Sequence, residues 1–179
     1  MNNVLGKTTL PVPKRFKPPI VKKKSDGEKA FHAYDWYFKW MKHYMKGVQS
    51  VFLTPCAATK PIYISSLHRC VYQPFARKYG AGREILVVSE PVVLIRYQDL
   101  YDFEKTFCYE FHPKMLSESR ELFVERLREL LAGKHIVGCL PKHHAKLIDD
   151  AVGSGWKNYW IGGMFSMRSK GSKLLKLVA

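Results

Sequence analysis

Residues 48–68, VQSVFLTPCAATKPIYISSLH, carry the pattern that decides the fold. Val48, Val51, Phe52 and Leu53 form a short apolar run over residues 48–53, bounded by Gly47 and Pro55, and a run of this kind is typical of a parallel strand that is buried on both faces. A buried helical segment is the alternative, but the run is too short to favour it. Ser65 or Ser66 can then cap a helix, because a serine hydroxyl accepts a hydrogen bond from a free backbone N–H. The stretch therefore predicts a strand, a loop and a helix.

A similar alternation of buried strand and amphipathic helix recurs along the chain. Short apolar runs predict strands at residues 84–88, 135–140 and 157–161, and helical spacing of apolar residues predicts helices at residues 31–45, from Ser117, and after Pro141. Gly133 follows the second helix where a left-handed glycine usually ends one. Residues 97–111 have no clean period, and we interpret them as a loop with partial strand character. This order favours a three-layer α/β sandwich with a mainly parallel four-stranded sheet.

Length and charge restrict the class of protein. The 179 residues are enough for one domain with a proper core and too few for two ordinary domains. Thirty Lys and Arg against fifteen Asp and Glu give a net charge of +15, which favours a polyanionic partner. A membrane surface is the competing partner, but no apolar segment approaches the roughly 20 residues of a spanning helix, and the first residues lack a signal-peptide core. We therefore expect a nucleic-acid partner and no membrane.

The basic residues are concentrated near both ends of the chain. Residues 1–24 contain seven Lys or Arg and no acidic residue, which predicts a flexible basic arm over residues 1–26 before one α/β domain over residues 27–179. The arm either lies along phosphates or is only a solvated leader. Residues 162–173 are glycine-rich, basic and free of acids, which also suits phosphates. The predicted nucleic-acid contacts are Lys14, Arg15, Lys17, Lys22, Lys23, Lys24, Arg168, Lys170 and Lys173.

The cysteines and histidines do not form a recognisable metal or disulfide pattern. The four cysteines have no C-x-x-C pairing and are too sparse for a secreted disulfide framework, so we expect reduced thiols in the cytoplasm. His143 and His144 are adjacent, and adjacent residues on a helix or strand do not face one metal together. We therefore expect no metal and no cofactor.

The loop after the first predicted strand is dense in reactive side chains. Cys56, Lys60, Ser65 and His68 all lie where an open α/β sheet binds its ligand, beyond the carboxyl end of a strand. A cysteine is a nucleophile when a base or cation activates it, a lysine supplies positive charge, and a histidine moves protons near neutral pH. The alternative is that the cysteine is a small buried hydrophobic residue and that the lysine and histidine are solvated.

A second strand end carries Ser89 and Glu90 before a proline. A carboxylate at a strand end is well placed to act as an acid, a base or an acceptor for the edge of a nucleobase. The alternative is that Glu90 only caps a turn.

The string PCAATKPIYISSLH at residues 55–68 resembles the PC-x3-KPY-x2-S-x2-H signature of the archaeosine synthase family. It departs at one position, because Ile62 replaces the family's Tyr and Tyr63 follows one residue later. The resemblance extends weakly over roughly residues 29–163. The family is related to tRNA-guanine transglycosylases and adds lysine, as an amine donor, across the nitrile of a 7-cyano-7-deazaguanine base in tRNA. Its core is similar to the uracil-DNA-glycosylase-like α/β fold.

The resemblance implies a base-modifying enzyme that consists of the family core alone and acts on tRNA or DNA with an amine donor such as lysine. It implies that Cys56 is a transient nucleophile or a pocket wall, and that Lys60 stabilises charge. Ser65 would position the substrate and His68 would donate a proton. The residues predicted to bind the substrate are Pro55, Tyr63, Ser89 and Glu90. The alternatives are a non-catalytic nucleic-acid-binding protein or inhibitor, and a glycosidic-bond enzyme that uses Glu90.

Overall fold

The computed structural model describes residues 9–57, 60–73, 83–111 and 116–160. Within these residues, five strands form one sheet and five α-helices accompany it. The strands are β1 (Ser50–Pro55), β2 (Glu84–Ser89), β3 (Val93–Arg96), β4 (His135–Gly138) and β5 (Lys157–Asn158). The helices are α1 (Gly27–Ala33), α2 (Asp35–Met45), α3 (Asp99–Asp102), α4 (Arg120–Leu131) and α5 (Lys142–Val152). Shorter helical turns cover Lys24–Asp26, Ile62–Ile64, His68–Tyr72 and Glu104–Phe107.

The strand predicted from residues 48–53 is the central strand of the sheet. The order is β3-β2-β1-β4-β5, and β1 pairs in parallel with both β2 and β4. β5 is parallel to β4, whereas β3 is antiparallel to β2. All residues of β1 and β2 after the first are buried, because both strands are covered on both faces. The fold is therefore α/β with a mostly parallel five-stranded sheet.

The prediction of four strands is wrong because it missed β3. Only three residues separate β2 from β3, with Ser89 paired to Val93, so the two strands form a hairpin with no helical crossover between them. Val93 has a φ of 83°, a conformation that β-branched residues rarely adopt. The hairpin directly after Glu90 is thus held in a strained conformation.

The helices follow the predicted pattern with one break. The helix expected over residues 31–45 is divided at Tyr34 into α1 and α2, and the hydroxyl of Tyr34 donates a hydrogen bond to the carbonyl of Thr106 at 2.8 Å. α4 packs against α2 and α5, and Gly133 beyond it has a φ of 67°, as predicted for a left-handed helix end. None of the helices in the described ranges is both long and apolar enough to cross a membrane.

Residues 97–111 are more helical than the sequence indicated, since they contain α3 and a 3₁₀ turn at Glu104–Phe107. The Tyr37 hydroxyl fixes this segment by donating a hydrogen bond to Asp99 Oδ2 at 2.7 Å and accepting one from the Arg96 backbone N–H at 3.1 Å. The strand character that we expected is limited to an isolated parallel bridge between Glu110 and Ile20.

The described part of the N-terminal segment, residues 9–24, packs on the domain and does not extend as a solvated arm. The ring of Phe16 contacts the edge of Tyr34 at 5.2 Å, and Val21 is buried. The Val21 N–H donates a hydrogen bond to the Glu110 carbonyl at 2.9 Å. Apolar residues between the lysines therefore attach the segment, and the expectation of a free arm over residues 1–26 does not hold for this part.

Candidate active site at the ends of three parallel strands

Three chain segments bring Cys56, Glu90 and His144 together. Cys56 follows β1, Glu90 follows β2, and His144 lies in the first turn of α5, which follows β4. Because β2, β1 and β4 are adjacent and parallel, their carboxyl ends meet at one edge of the sheet. One sulfur, oxygen or nitrogen atom from each side chain lies within 4.8 Å of the other two. We call these three residues the thiol cluster.

The thiol cluster is largely closed to solvent. His144 Nε2 lies 3.3 Å from Glu90 Oε1, and the Cys56 thiol donates a long hydrogen bond to Glu90 Oε2 at 3.9 Å. Glu90 and His144 are only 4% and 2% exposed, whereas Cys56 is partly exposed. Cys56 is therefore the member of the cluster that a substrate can reach.

The thiol cluster stabilises a charged histidine. Burial acts to lower the pKa of His144, but the neighbouring Cys56 and Glu90 outweigh it and raise that pKa to about 9. Burial acts to raise the pKa of Glu90, but the close contact and the charge of His144 hold that pKa below its usual range. Near pH 7, Glu90 and His144 are thus a carboxylate and an imidazolium.

Lys60 supplies a second positive charge near Cys56. Its ammonium lies 4.4 Å from the centroid of the Tyr109 ring. Burial lowers the pKa of Lys60, and the neighbouring Cys56 and Glu90 partly oppose that effect. The Tyr109 hydroxyl is hydrogen-bonded to the Ser89 hydroxyl, and Ser89 is fully buried. Ser89 therefore supports the ring beneath Lys60, which does not fit the predicted contact between Ser89 and a substrate.

His68 does not have the surroundings of a proton donor to substrate. It is fully buried, and its Nε2–H donates a hydrogen bond to the Pro55 carbonyl at 3.0 Å. Since Nε2 carries the proton, Nδ1 accepts from the Tyr97 hydroxyl at 3.3 Å. Burial lowers the pKa of His68 to about 4, so the ring is neutral near pH 7. His68 thus positions the end of β1, and its predicted role does not fit this placement.

Ser65 and Pro55 also act through the backbone. The Ser65 hydroxyl accepts a hydrogen bond from the His68 backbone N–H at 3.3 Å, which is the capping contact predicted for Ser65 or Ser66. Both Ser65 and Pro55 are buried, and the Pro55 carbonyl is occupied by His68. Both residues therefore hold the loop in place through His68, and their predicted contacts with a substrate stay predictions.

Tyr63, by contrast, reaches the surface beside the loop. Its ring stacks on Tyr101 with centroids 4.8 Å apart, and Tyr101 is 40% exposed. Tyr63 itself is partly buried, so the exposed ring of Tyr101 is the part of this pair that can stack a nucleobase.

The predicted nucleic-acid contacts are only partly described. Lys14, Arg15, Lys17, Lys22 and Lys23 are all exposed. Lys24 begins a 3₁₀ turn. Arg168, Lys170 and Lys173 lie outside the described residues, so their predicted role stays a prediction.

Glu90 also borders an open cavity of about 620 Å³ beside α5. The cavity is lined by Glu90, Leu116, Arg120, His143, Lys146, Leu147 and Asp150. The buried carboxylate of Glu90 thus lies at the wall of an open cavity.

Our interpretation of the sequence missed His144 and Tyr109 as parts of the site. His144 was detectable, because it follows a predicted parallel strand just as Cys56 does. Tyr109 was not detectable, because it lies in a segment without periodicity and only the tertiary fold brings its ring to Lys60.

No known protein family matches the sequence, and no curated protein is significantly similar to it. Among solved structures, the chain is similar to "Crystal structure of AF0587, a protein of unknown function", with a TM-score of 0.49 and 16% sequence identity. The alignment covers 79% of this chain and 49% of that chain, so this chain spans about half its length.

Proposed function

We propose that the protein modifies a nucleic-acid base, and that Cys56 attacks the nitrile carbon of a 7-cyano-7-deazaguanine-type base in tRNA or DNA before an amine donor such as lysine replaces it. The observation that carries this proposal is the convergence of Cys56 with Glu90, His144 and Lys60 at the ends of parallel strands. The resemblance of residues 55–68 to the archaeosine synthase signature supplies the class of substrate.

A nitrile requires a nucleophile and a proton source on the same side of the molecule, because its nitrogen becomes negative as its carbon is attacked. Cys56 adds to the carbon while the Glu90–His144 pair accepts the thiol proton and delivers a proton to the nitrogen. The product of this step is a thioimidate, in which sulfur is bonded to the former nitrile carbon. Glu90 and His144 together accept one proton and give one away, so their total number of protons is unchanged by this step.

The second half of the reaction restores the thiol. An amine adds to the thioimidate carbon, the carbon–sulfur bond breaks, and the amine proton returns to the sulfur through Glu90 and His144. The product is an amidine. Lys60 stabilises the negative charge on nitrogen in both transition states, where such a contact lowers the barrier without strengthening ground-state binding.

The charge and surface of the protein support a nucleic-acid substrate. The net charge of +15 favours phosphates, and the exposed cations of residues 14–23 lie on a segment that packs against the domain. The Tyr63–Tyr101 pair can receive a base that has been turned out of a duplex or presented in a single strand. The mostly parallel sheet supports the further proposal of a three-layer sandwich similar to the uracil-DNA-glycosylase-like core.

The position of Glu90 does not favour the glycosidic-bond alternative. The donor that faces its carboxylate is the Cys56 thiol, so Glu90 is placed to take a proton from that thiol and not from a water molecule.

Single-turnover conversion of a nitrile-bearing oligonucleotide, measured beside equilibrium binding of the same strand, tests the proposed function. Cys56→Ser should abolish conversion and leave binding close to wild type, while Cys139→Ser, which changes a buried thiol at the end of β4, should retain conversion. If the wild-type protein binds the strand but converts none of it with any amine, the protein is a binding module.

A further inference from the structure

The three side chains of the thiol cluster are also a metal-binding set. We propose that Cys56, Glu90 and His144 bind a thiophilic divalent cation of the Zn²⁺ class, and that the bound cation blocks the thiol. A thiolate, a carboxylate and an imidazole are the three ligand types that zinc uses in proteins. Three protein ligands leave a fourth position for water.

The separations between the ligand atoms suit a tetrahedral ion. Bonds of about 2.0–2.3 Å place neighbouring ligand atoms roughly 3.3–3.8 Å apart. His144 Nε2 and Glu90 Oε1 are 3.3 Å apart, and Cys56 Sγ and Glu90 Oε2 are 3.9 Å apart. All three side chains have a ligand atom within 4.8 Å of the others, so only small side-chain rotations are needed to enclose an ion.

The polar atoms of the cluster lack good partners, which points to a ligand. Glu90 Oε1 and both ring nitrogens of His144 are buried without an aligned hydrogen bond to any described residue. The close contact between Glu90 and His144 is therefore an ion pair with unused coordination capacity. Buried polar atoms are nearly always satisfied, because leaving one unpaired is costly. A cation satisfies the oxygen and one nitrogen at once.

The backbone around the cluster is already held in place. The Cys56 N–H donates a hydrogen bond to the Val88 carbonyl at 3.0 Å, which ties the end of β1 to β2. His144 is held in α5, and Glu90 is held by the hairpin between β2 and β3. Ligands on fixed elements lose little conformational freedom when they bind an ion.

The charges of the thiol cluster favour binding of a divalent ion, whereas the neighbouring Lys60 opposes it. The thiolate and the carboxylate together balance a double positive charge when His144 is neutral. The Lys60 ammonium lies close enough to interact with Cys56 and Glu90, and it repels a second cation. Removing the charge of Lys60 should therefore tighten metal binding, although the same change should slow the proposed reaction.

Coordination has a direct consequence for the thiol. The cation replaces the thiol proton of Cys56 and the Nε2 proton of His144, so the sulfur electron pair is no longer available to attack a carbon. Metal binding should thus protect Cys56 from alkylation. This device goes beyond the proposed function and does not depend on it, because an inert binding protein with this cluster would bind the same ion.

Calorimetric titration of the chelator-treated full chain with Zn²⁺ alone tests the proposal, with Co²⁺ titrated in parallel for its sulfur-to-cobalt absorption band. We expect one ion per chain and a thiolate band. Cys56→Ser and His144→Gln should each weaken binding by at least about tenfold and Cys56→Ser should remove the band. Cys139→Ser and His143→Gln, which change a thiol and a histidine outside the cluster, should bind as wild type. Circular dichroism confirms that each variant is folded.

Lys60→Met provides the second arm, because it leaves all three ligands in place. Tighter Zn²⁺ binding and slower alkylation of Cys56 in the presence of Zn²⁺ support the proposal. It is overturned if the wild-type protein binds no Zn²⁺, if the ligand variants bind as well as the two controls, or if Lys60→Met weakens binding. None of these measurements uses a nucleic-acid substrate, so failure here is distinguishable from failure of the proposed function.

Discussion

His68 and His144 lie at the same edge of the sheet, are equally buried, and have opposite electrostatic properties. The pKa of His68 is lowered to about 4, mainly by burial, while Cys56 and Glu90 raise the pKa of His144 to about 9 against the effect of burial. His68 is hydrogen-bonded to a carbonyl and a hydroxyl, whereas the polar groups nearest the ring of His144 are a carboxylate and a thiol. The function of a buried histidine is thus decided by the groups that face it, even when it belongs to a recognisable sequence motif.

The largest expected difference between the two histidines is in the rate of reaction. His144→Gln removes the proton carrier and should lower the single-turnover rate of amidine formation on the order of 10²- to 10⁴-fold, with little change in oligonucleotide affinity. His68→Gln should lower it much less, because glutamine keeps a donor for the Pro55 carbonyl and His68 does not reach the substrate. A larger loss in His68→Gln than in His144→Gln would reverse the two assignments.

The two histidines should also affect stability at opposite ends of the pH scale. The pKa of His68 is 6.5 in the unfolded chain and about 4 in the folded chain. The folded state therefore favours the neutral ring, and the contribution of His68 to the free energy of unfolding is complete above pH 6.5 and is lost as pH falls through 4. The expected loss is roughly 3 kcal/mol of unfolding free energy. For His144 the folded pKa is raised, so its contribution is present below pH 6.5 and is lost as pH rises through about 9.

Denaturant unfolding at a series of pH values measures both contributions. The contribution of Asp99 to stability must be subtracted. Burial raises the pKa of Asp99 to about 6, so this residue stabilises the folded state increasingly as pH falls over the same acidic range. The difference between wild type and each histidine variant removes the Asp99 contribution. If the free energy of unfolding of His68→Gln falls at acidic pH as much as that of wild type, the loss is not caused by His68.

Removing the charge of Glu90 should lower the pKa of His144 towards that of His68. Glu90→Gln keeps the size of the side chain and deletes the negative charge, so the pKa of His144 should fall by about one unit or more from about 9. The pKa of His68 should not change, since neither of its ring partners is Glu90. Proton NMR titration of the histidine rings distinguishes the two, and an unchanged His144 resonance would show that Glu90 does not stabilise its charge.

The smallest effect should come from the exposed cations, which lie far along the chain from both histidines. Changing Lys14, Arg15 and Lys17 to Ala should lower the slope of log affinity against log salt by about 0.9 for each charge that contacts a duplex phosphate. The rate at saturating protein should not change. Binding as a function of salt measures this, with Lys29→Ala as a control that removes an exposed cation from α1. A slope equal to that of the control would show that these three cations do not contact the nucleic acid.

The sequence pattern was sufficient to predict the elements that depend on burial of a short run or on the conformation of a single residue. β1 was predicted because a short apolar run must be buried, and the end of α4 was predicted because Gly133 adopts a positive φ without strain. The α/β class and the placement of Cys56 and Glu90 at strand ends follow from the same patterns. β3 was missed because its four residues form a strand only through pairing with β2.

The thiol cluster itself could not be predicted in full, because its members are separated by 34 and 54 residues along the chain. Sequence spacing led us to consider His143 and His144 only as neighbours of each other, whereas the fold joins His144 to Cys56 and Glu90. The signature residues Ser65 and His68 were noticed for the types of side chain they carry. Their contacts to backbone groups, which make them positioning residues, depend on the conformation of the loop.

The most direct test of the account is to trap the bond between Cys56 and the substrate. The full chain is incubated with an oligonucleotide that carries a 7-cyano-7-deazaguanine base, without any amine, and digested peptides are analysed by mass spectrometry. The account predicts a thioimidate on Cys56 and on none of the other three cysteines, and its release as an amidine when an amine is added. Amidine formation by Cys56→Ser at the wild-type rate, or an adduct on Cys108 in place of Cys56, would contradict it.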